Sequence, residues 1–369
     1  MKKIFFVTRQ LAKGALLNVN MELAKIAKRN NYDVRFVSIT GSSIPGPIYE
    51  GVVIKALNLG RVRDYFKGFY VFLREERPDA VFVSGYLSAV IFIISSLFVG
   101  FSPRIVFQIH EVTSKYIASR KSFVERFFTV PLMKIFFGRC VSVIAVSDPV
   151  ARDFEKLLSW NKGTVKTLHN SFDIDKINSL STSDIEACAE LNDLHCQPMV
   201  LCAGRLEPEK RFEDLVIAFS KLRKKINCRL VMLGEGSQKQ DLNDLAIALG
   251  VGDRVVFKGF VENPFVYMRK ASVLVVTSER EGFCNVLVEA MACGCAVIST
   301  RCGGPEDILR GGLSPNLVDV GDVDSLCLLM EKEILGPANK EIYYQRAKDF
   351  DSNGAAAKSF EGLLRYVFE

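Results

Sequence analysis

Compact apolar runs alternate with segments of helical spacing along the whole chain. Strings rich in Val, Ile, Leu and Phe at residues 3–8, 33–39, 52–57, 80–84, 104–109, 142–146 and 165–168 predict strands. The pattern restarts at 199–203 and continues through 229–233, 254–257, 272–277, 295–300 and 316–320. Between them, apolar residues recur three and four apart, as in Leu17, Met21, Ala24 and Ala27, and predict helices over 17–30, 212–225 and 238–249. Strands that are apolar throughout, rather than at every second residue, are buried on both faces, which means parallel sheets covered by helices. The expected fold is therefore α/β: two Rossmann-like, doubly wound domains facing across a cleft that receives the carboxyl ends of their strands. The first domain is placed at 1–172 and the second at 198–345. Between them the polar stretch 173–197, with Ser179 to Asp184 at its middle, reads as an interdomain connection. The segment 346–369 is helical and is expected to pack back on the first domain.

A length of 369 residues accommodates two such domains. Residues 80–101 are almost free of charge and about as long as a membrane span, but Ser84-Gly85-Tyr86 interrupts them. A buried strand followed by a buried helix is the preferred reading. The start, Met1 to Thr8, is a first strand rather than a signal peptide. A net charge of +6 is too mild for a nucleic-acid partner and suits an acidic ligand or an anionic lipid surface. The ten cysteines include no C-x-x-C pair, and Cys140, Cys202, Cys228 and Cys295 lie in apolar runs. They read as reduced core residues of a cytoplasmic protein.

The most informative stretch runs from Ser278 to Gly294. It lies between two buried-strand runs, so the chain spells strand, loop, helix, strand, with Gly294 where the helix stops. Glu281 falls in the loop and Glu289 on the helix, which aims two carboxylates and a helix start at one pocket. After the strand at 199–203 comes Gly204-Arg205-Leu206-Glu207-Pro208-Glu209-Lys210. Gly204 lets the backbone turn, and Arg205 and Lys210 stand at the carboxyl edge of the sheet. Arg can fork two phosphate oxygens, whereas Lys offers a point charge. One such contact at about 4 Å is worth roughly 4 kcal/mol before desolvation at an effective dielectric near 20.

With these pieces, together with Leu233-Gly234-Glu235-Gly236 and Gly303-Gly304-Pro305-Glu306, the sequence resembles the retaining glycosyltransferases of family 4, which have the two-domain GT-B fold. The resemblance covers nearly all of the second half and is looser in the first. It implies that the first domain binds the acceptor and the second the nucleotide sugar. It further implies that Arg205 and Lys210 hold the donor diphosphate, that Glu289 accepts from the ribose hydroxyls, and that Glu281 accepts from the transferred sugar. Gly204, Gly282, Phe283, Cys284, Asn285, Val286 and Leu287 would line the donor, the last five with their backbone N–H groups. His110, which ends the strand at 104–109 beside Glu111, would hydrogen-bond the donor sugar. His110, Arg205, Lys210 and Glu281 are thus the candidate catalytic residues. Two positions depart from the family pattern: Gly14 stands alone where a glycine pair is usual, so its contact with the donor is an expectation only, and Cys284 replaces a common glycine. Ser171 replaces another glycine beside Asn170, a loop anchor. His169 has no assigned role and His195 is incidental.

Gly234-Glu235-Gly236 lacks the third glycine of a dinucleotide fingerprint and reads as a tight strand-to-helix turn. No cysteine–histidine cluster suggests zinc, and Asp173-Ile174-Asp175 and Asp322-Val323-Asp324 lie in expected connections, so neither a metal nor a cofactor is expected. Residues 115–139 combine Lys115, Arg120, Lys121, Arg126, Lys134 and Arg139 with Tyr116, Phe123, Phe127, Phe128, Phe136 and Phe137, opposed by Glu125. That segment is either an ordinary helix pair with a basic edge or a surface that touches anionic lipid at the inner face of the membrane. The expected activity is metal-independent, retaining transfer of a sugar from a nucleoside diphosphate sugar, with uridine favoured over guanosine. The expected acceptor is a glycan or lipid-linked glycan in bacterial surface polysaccharide synthesis. A nucleotide-sugar epimerase or phosphorylase on the same architecture, or a non-catalytic sugar-nucleotide-binding protein, are the alternatives.

Overall fold

The computed structural model of the chain describes residues 1–11, 14–41, 48–119, 123–183, 197–336 and 340–369. It separates into two compact units, one of residues 1–172 with 352–369 and one of residues 173–351. The first unit is built on an eight-stranded sheet. Its strands are β1 (Lys3–Thr8), β2 (Asp33–Ser38), β3 (Ile48–Tyr49), β4 (Val52–Ala56), β5 (Ala80–Ser84), β6 (Arg104–Ile109), β7 (Ser142–Ala145) and β8 (Lys166–Thr167), in the order β3-β4-β2-β1-β5-β6-β7-β8. Every pairing is parallel except that of the short β3 with β4. The apolar runs explain why: Ile4 to Val7 and Ala80 to Val83 are fully buried, so both faces must be covered. The run after β5 forms the helix Tyr86–Ser96, and no helix among the described residues is long and apolar enough to cross a membrane.

The second sheet has six parallel strands: β9 (Met199–Ala203), β10 (Arg229–Leu233), β11 (Val255–Gly259), β12 (Val273–Val276), β13 (Ala296–Thr300) and β14 (Leu317–Val318). Their order, β11-β10-β9-β12-β13-β14, is that of a Rossmann sheet. The order reverses between β9 and β12, which pair directly. The loops that leave these two strands therefore diverge to opposite sides and open a crevice at their carboxyl ends.

The stretch after Phe172 is not a bare connection. Asp173 accepts a hydrogen bond from the Lys176 N–H at 2.9 Å and caps a helix, Ile174–Thr182, whose Ile174, Ile177 and Ser181 are buried in the second unit. Ser179 to Thr182 are thus helical, and 184–196, with His195, lie outside the described residues. Asp322 likewise caps the helix Val323–Leu335 through the Ser325 N–H. The Asp of each Asp-x-Asp pair nearer the amino end is thus a helix cap.

The return to the first unit begins at Ser352 rather than at residue 346. Arg346 binds the Ile308 and Asp307 carbonyl oxygens at 2.8 and 2.7 Å, and Phe350 packs edge-on against Phe283, so the helix Lys340–Lys348 stays with the second unit. The last helix, Ala355–Phe368, buries Phe360, Leu363, Leu364 and Val367 among Phe6, Leu23 and Phe82 of the first core. Arg29 fastens its start through Asn353 and the Ser352 carbonyl oxygen.

Candidate active site

The crevice of the second unit is assembled from the loops after β9, β10 and β12. The first two are zipped together by main-chain bonds: Gly204 N–H to the Leu233 carbonyl oxygen, Leu206 N–H to that of Glu235, and Gln238 N–H to that of Leu206, each 2.9 Å. Gly234 makes this approach possible. Its φ is +134°, and a Cβ there would come within 1.9 Å of the Gly204 carbonyl oxygen. Gly234-Glu235-Gly236 is accordingly the tight turn expected from the sequence.

The loop after β9 continues into a 3₁₀ turn, Pro208–Lys210. Two contacts hold it against the loop after β12: the Thr277 hydroxyl donates to the Lys210 carbonyl oxygen at 2.8 Å, and the Glu279 N–H to that of Glu209 at 2.9 Å. This clamp brings Lys210 onto Glu281, with Nζ 2.6 Å from Oε1. The Ser278 hydroxyl donates to the same oxygen at 2.7 Å. The Glu281 main chain is anchored in turn, its N–H bonding the Cys302 carbonyl oxygen and its own carbonyl oxygen accepting from Gly304. Lys210 is 21% and Glu281 15% exposed, so the pair is largely desolvated. Burial pulls the Lys210 ammonium down, but the charge and hydrogen bond of Glu281 outweigh it, and the net movement is upward. Lys210 is therefore a fixed cation that has further N–H donors to offer.

Arg205 sits at the same edge but points outward, 72% exposed and paired with Glu209 at 2.9 Å. An exposed ion pair of this kind is weak and easily exchanged for another anion.

Gly282 and Phe283 lead to Cys284, the residue before the helix Asn285–Ala292. Cys284 has φ +82° and ψ 67°, the left-handed region that favours glycine. The backbone there has the form the family's glycine supplies, and the buried thiol is pushed well above its ordinary value by desolvation. The helix buries Leu287, Val288 and Met291 and leaves Asn285, Val286 and Glu289 half-buried on another stripe. Its end is a left-handed Gly294, whose N–H bonds the Met291 carbonyl oxygen. The Glu289 carboxylate has no hydrogen-bond or ion-pair partner among the described residues, and desolvation pushes it up to about 7. A carboxylate held near neutrality without a partner is a group waiting for one.

His110 and Gly14 belong to the first unit. His110 follows β6, its Nε2 3.1 Å from the Ser84 hydroxyl at the end of β5. Desolvation lowers it to about 4, so the ring is neutral at physiological pH. Gly14, at φ +152°, precedes the helix Ala15–Arg29, and among the described residues beyond its chain neighbours no atom lies within 4 Å of where its Cβ would be. Asn170 is buried. Sequence reasoning missed Ser278, Thr277 and Glu209. Ser278 was within reach, three residues before Glu281, whereas the Thr277 and Glu209 contacts depend on two loops far apart in sequence.

Comparison with known proteins agrees with this fold. The family model described as glycosyl transferases group 1 matches residues 189–350, and that described as glycosyltransferase family 4 matches residues 18–176. The chain is 29% identical over 261 residues to the N-acetylgalactosamine-N,N'-diacetylbacillosaminyl-diphospho-undecaprenol 4-alpha-N-acetylgalactosaminyltransferase of Campylobacter jejuni, a match spanning 69% of each. It is 27% identical over 199 residues to the lipopolysaccharide core biosynthesis glycosyltransferase LpsE of Rhizobium meliloti, covering 54% of this chain and 56% of that one. Among solved structures, sucrose-phosphate synthase from Thermosynechococcus elongatus superposes with a TM-score of 0.81 at 19% identity, over 100% of this chain and 99% of the other. HepE of Anabaena in complex with UDP gives 0.76 at 20% identity, over 99% and 100%. At these identities the structural likeness is one of fold.

Proposed function

Since the chain belongs to glycosyltransferase family 4 and has the GT-B fold, we propose that it transfers a sugar, with retention of anomeric configuration, from a nucleoside diphosphate sugar to a glycan or lipid-linked glycan. A UDP-sugar is favoured over a GDP-sugar, and the product belongs to a bacterial surface polysaccharide. The relatives named for lipopolysaccharide core and diphospho-undecaprenol acceptors support the acceptor class, and the UDP complex of the fold neighbour supports the base.

One observation carries the reading: a half-buried cation, Lys210, is locked 2.6 Å from Glu281 at the point where the strand order reverses, with an unpartnered Glu289 on the next helix. A diphosphate over the end of β9 would receive the remaining Lys210 donors, Arg205 swung from Glu209, and the first-turn N–H groups of the helix Asn285–Ala292. Glu289 would accept from the ribose hydroxyls and Glu281 from the transferred sugar. The neutral His110 ring would exchange a hydrogen bond with a sugar hydroxyl. The bond from the anomeric carbon to the diphosphate oxygen breaks as the acceptor oxygen bonds to the same face, and the departing phosphate takes the acceptor proton. Fixed cations steady the charge that develops on the leaving group, so the reaction needs no divalent ion.

The test is a thermal-shift screen of uridine and guanosine diphosphate sugars, followed by transfer with the best donor and NMR of the new linkage. Stabilisation by a UDP-sugar, a retained anomer and activity undiminished by chelator are expected. An inverted anomer, an epimerised donor without transfer, or activity lost to chelator and restored by manganese would each overturn the corresponding part.

A further inference from the structure

The helix Phe123–Phe136 of the first unit carries its apolar residues on the wrong side for a globular core. Thr129, Met133 and the following Phe137 are buried on one side. On the other, Phe123 is 67%, Phe127 56%, Phe128 52% and Ile135 61% exposed. At 100° per residue, Phe123, Phe127, Pro131, Lys134, Ile135 and Phe128 fall on one continuous face. The aromatic rings group together, with Phe123 and Phe127 4.7 Å apart between centroids. Cations border them: Arg126 lies over the Phe127 ring at 5.8 Å, Lys134 is on the face itself, and Arg139 lies over the Phe136 ring at 5.8 Å.

We propose that this face docks on an anionic lipid bilayer, the aromatic side chains entering the headgroup boundary while Arg126, Lys134 and Arg139 meet lipid phosphates. Charge selects this occupant. Arg126, Lys134 and Arg139 are all exposed, and a second copy of the chain would bring the same three cations against them across a two-fold interface. An apolar stripe with cations at its border is what an anionic membrane surface attracts. The inference rests on the proposed function for its purpose: a lipid-linked acceptor keeps its tail in the bilayer, and the enzyme must go to it.

The experiment is co-sedimentation of the full chain with phosphatidylcholine vesicles, with and without phosphatidylglycerol. Binding to the anionic vesicles, weakened by salt, is expected. Charge reversal by R126E/K134E should weaken it by about fivefold or more for each cation, and F123S/F127S/I135S should abolish it. These residues are exposed, so the variants should still bind UDP as the wild type does in vesicle-free solution. Absent or composition-independent vesicle binding overturns the proposal. So does vesicle binding that the triple variant retains, or a vesicle-free dimer that the triple variant dissociates. UDP binding is read without vesicles, so failure of the donor site and failure of the membrane face are told apart.

Discussion

Glu289→Gln isolates one feature on which the proposed donor site depends. Gln keeps the length and shape of the side chain and removes its ionisation. In the wild type, desolvation raises the folded-state value from 4.5 to about 7. Between those two values the folded chain holds a proton that the unfolded chain has released. Stability is therefore fully present below about pH 4.5, falls as the pH climbs through about 7, and levels off above it. At about 1.4 kcal/mol for each pH unit the total loss is about 3 kcal/mol. The glutamine variant has no such slope, so it should match the wild type near pH 4.5 and exceed it by about 3 kcal/mol at pH 8. A chain of two compact units need not unfold in one step, so the measurement is made on the second unit: hydrogen exchange of the helix Asn285–Ala292 amides, supported by urea melts read by circular dichroism. Nucleotide affinity should move the other way. On the proposed reading, ribose hydroxyls would donate to the ionised carboxylate, so wild-type UDP affinity should fall by up to about tenfold for each pH unit below 7, while the variant binds weakly at every pH. Parallel stability profiles for the two proteins would show that Glu289 is not the desolvated, unpartnered group described above.

Lys210→Ala should lower kcat by about a hundredfold or more with a much smaller change in donor KM, because in the proposed mechanism the charge it would steady develops on the leaving diphosphate; a kcat within a few fold of wild type would remove Lys210 from the mechanism. His110 is lowered from 6.5 to about 4, so its contribution to stability is present above pH 6.5 and lost as the pH falls toward 4. His110→Asn should flatten that acid limb in urea melts of the first unit, and no titration of His110 should appear in kcat between about pH 5 and 8. Gly234→Ala places a methyl group 1.9 Å from the Gly204 carbonyl oxygen at a φ of +134°. It should destabilise the second unit by about 3 kcal/mol or more, and an unchanged melting temperature would contradict the loop packing.

The sheets are written in the local pattern of the chain. A strand buried on both faces is apolar at nearly every position, so its signature is local, and β1, β5, β6, β9 and β10 lie where the apolar runs do. The turn at Gly234 and the helix stop at Gly294 were legible for a related reason: each rests on backbone freedom that glycine has and other residues lack. The candidate residues Lys210 and Glu281 on loops and Glu289 on a helix were legible through spacing and family pattern. Only the tertiary structure decided what those side chains meet. Lys210 and Glu281 are 71 residues apart, and whether they pair, with Ser278 on the same oxygen, depends on how the loops after β9 and β12 are clamped together. Burial of Glu289 without a partner is a property of the whole surrounding wall, which no window of sequence contains. The same holds for the helix Ile174–Thr182, whose polar composition reads as a linker. Its cap at Asp173 and its few apolar residues suffice because the second core is there to receive them. Element type follows from local pattern, whereas pairing, desolvation and the point where the chain returns at Ser352 follow from which surfaces are left to be covered once the sheets have formed.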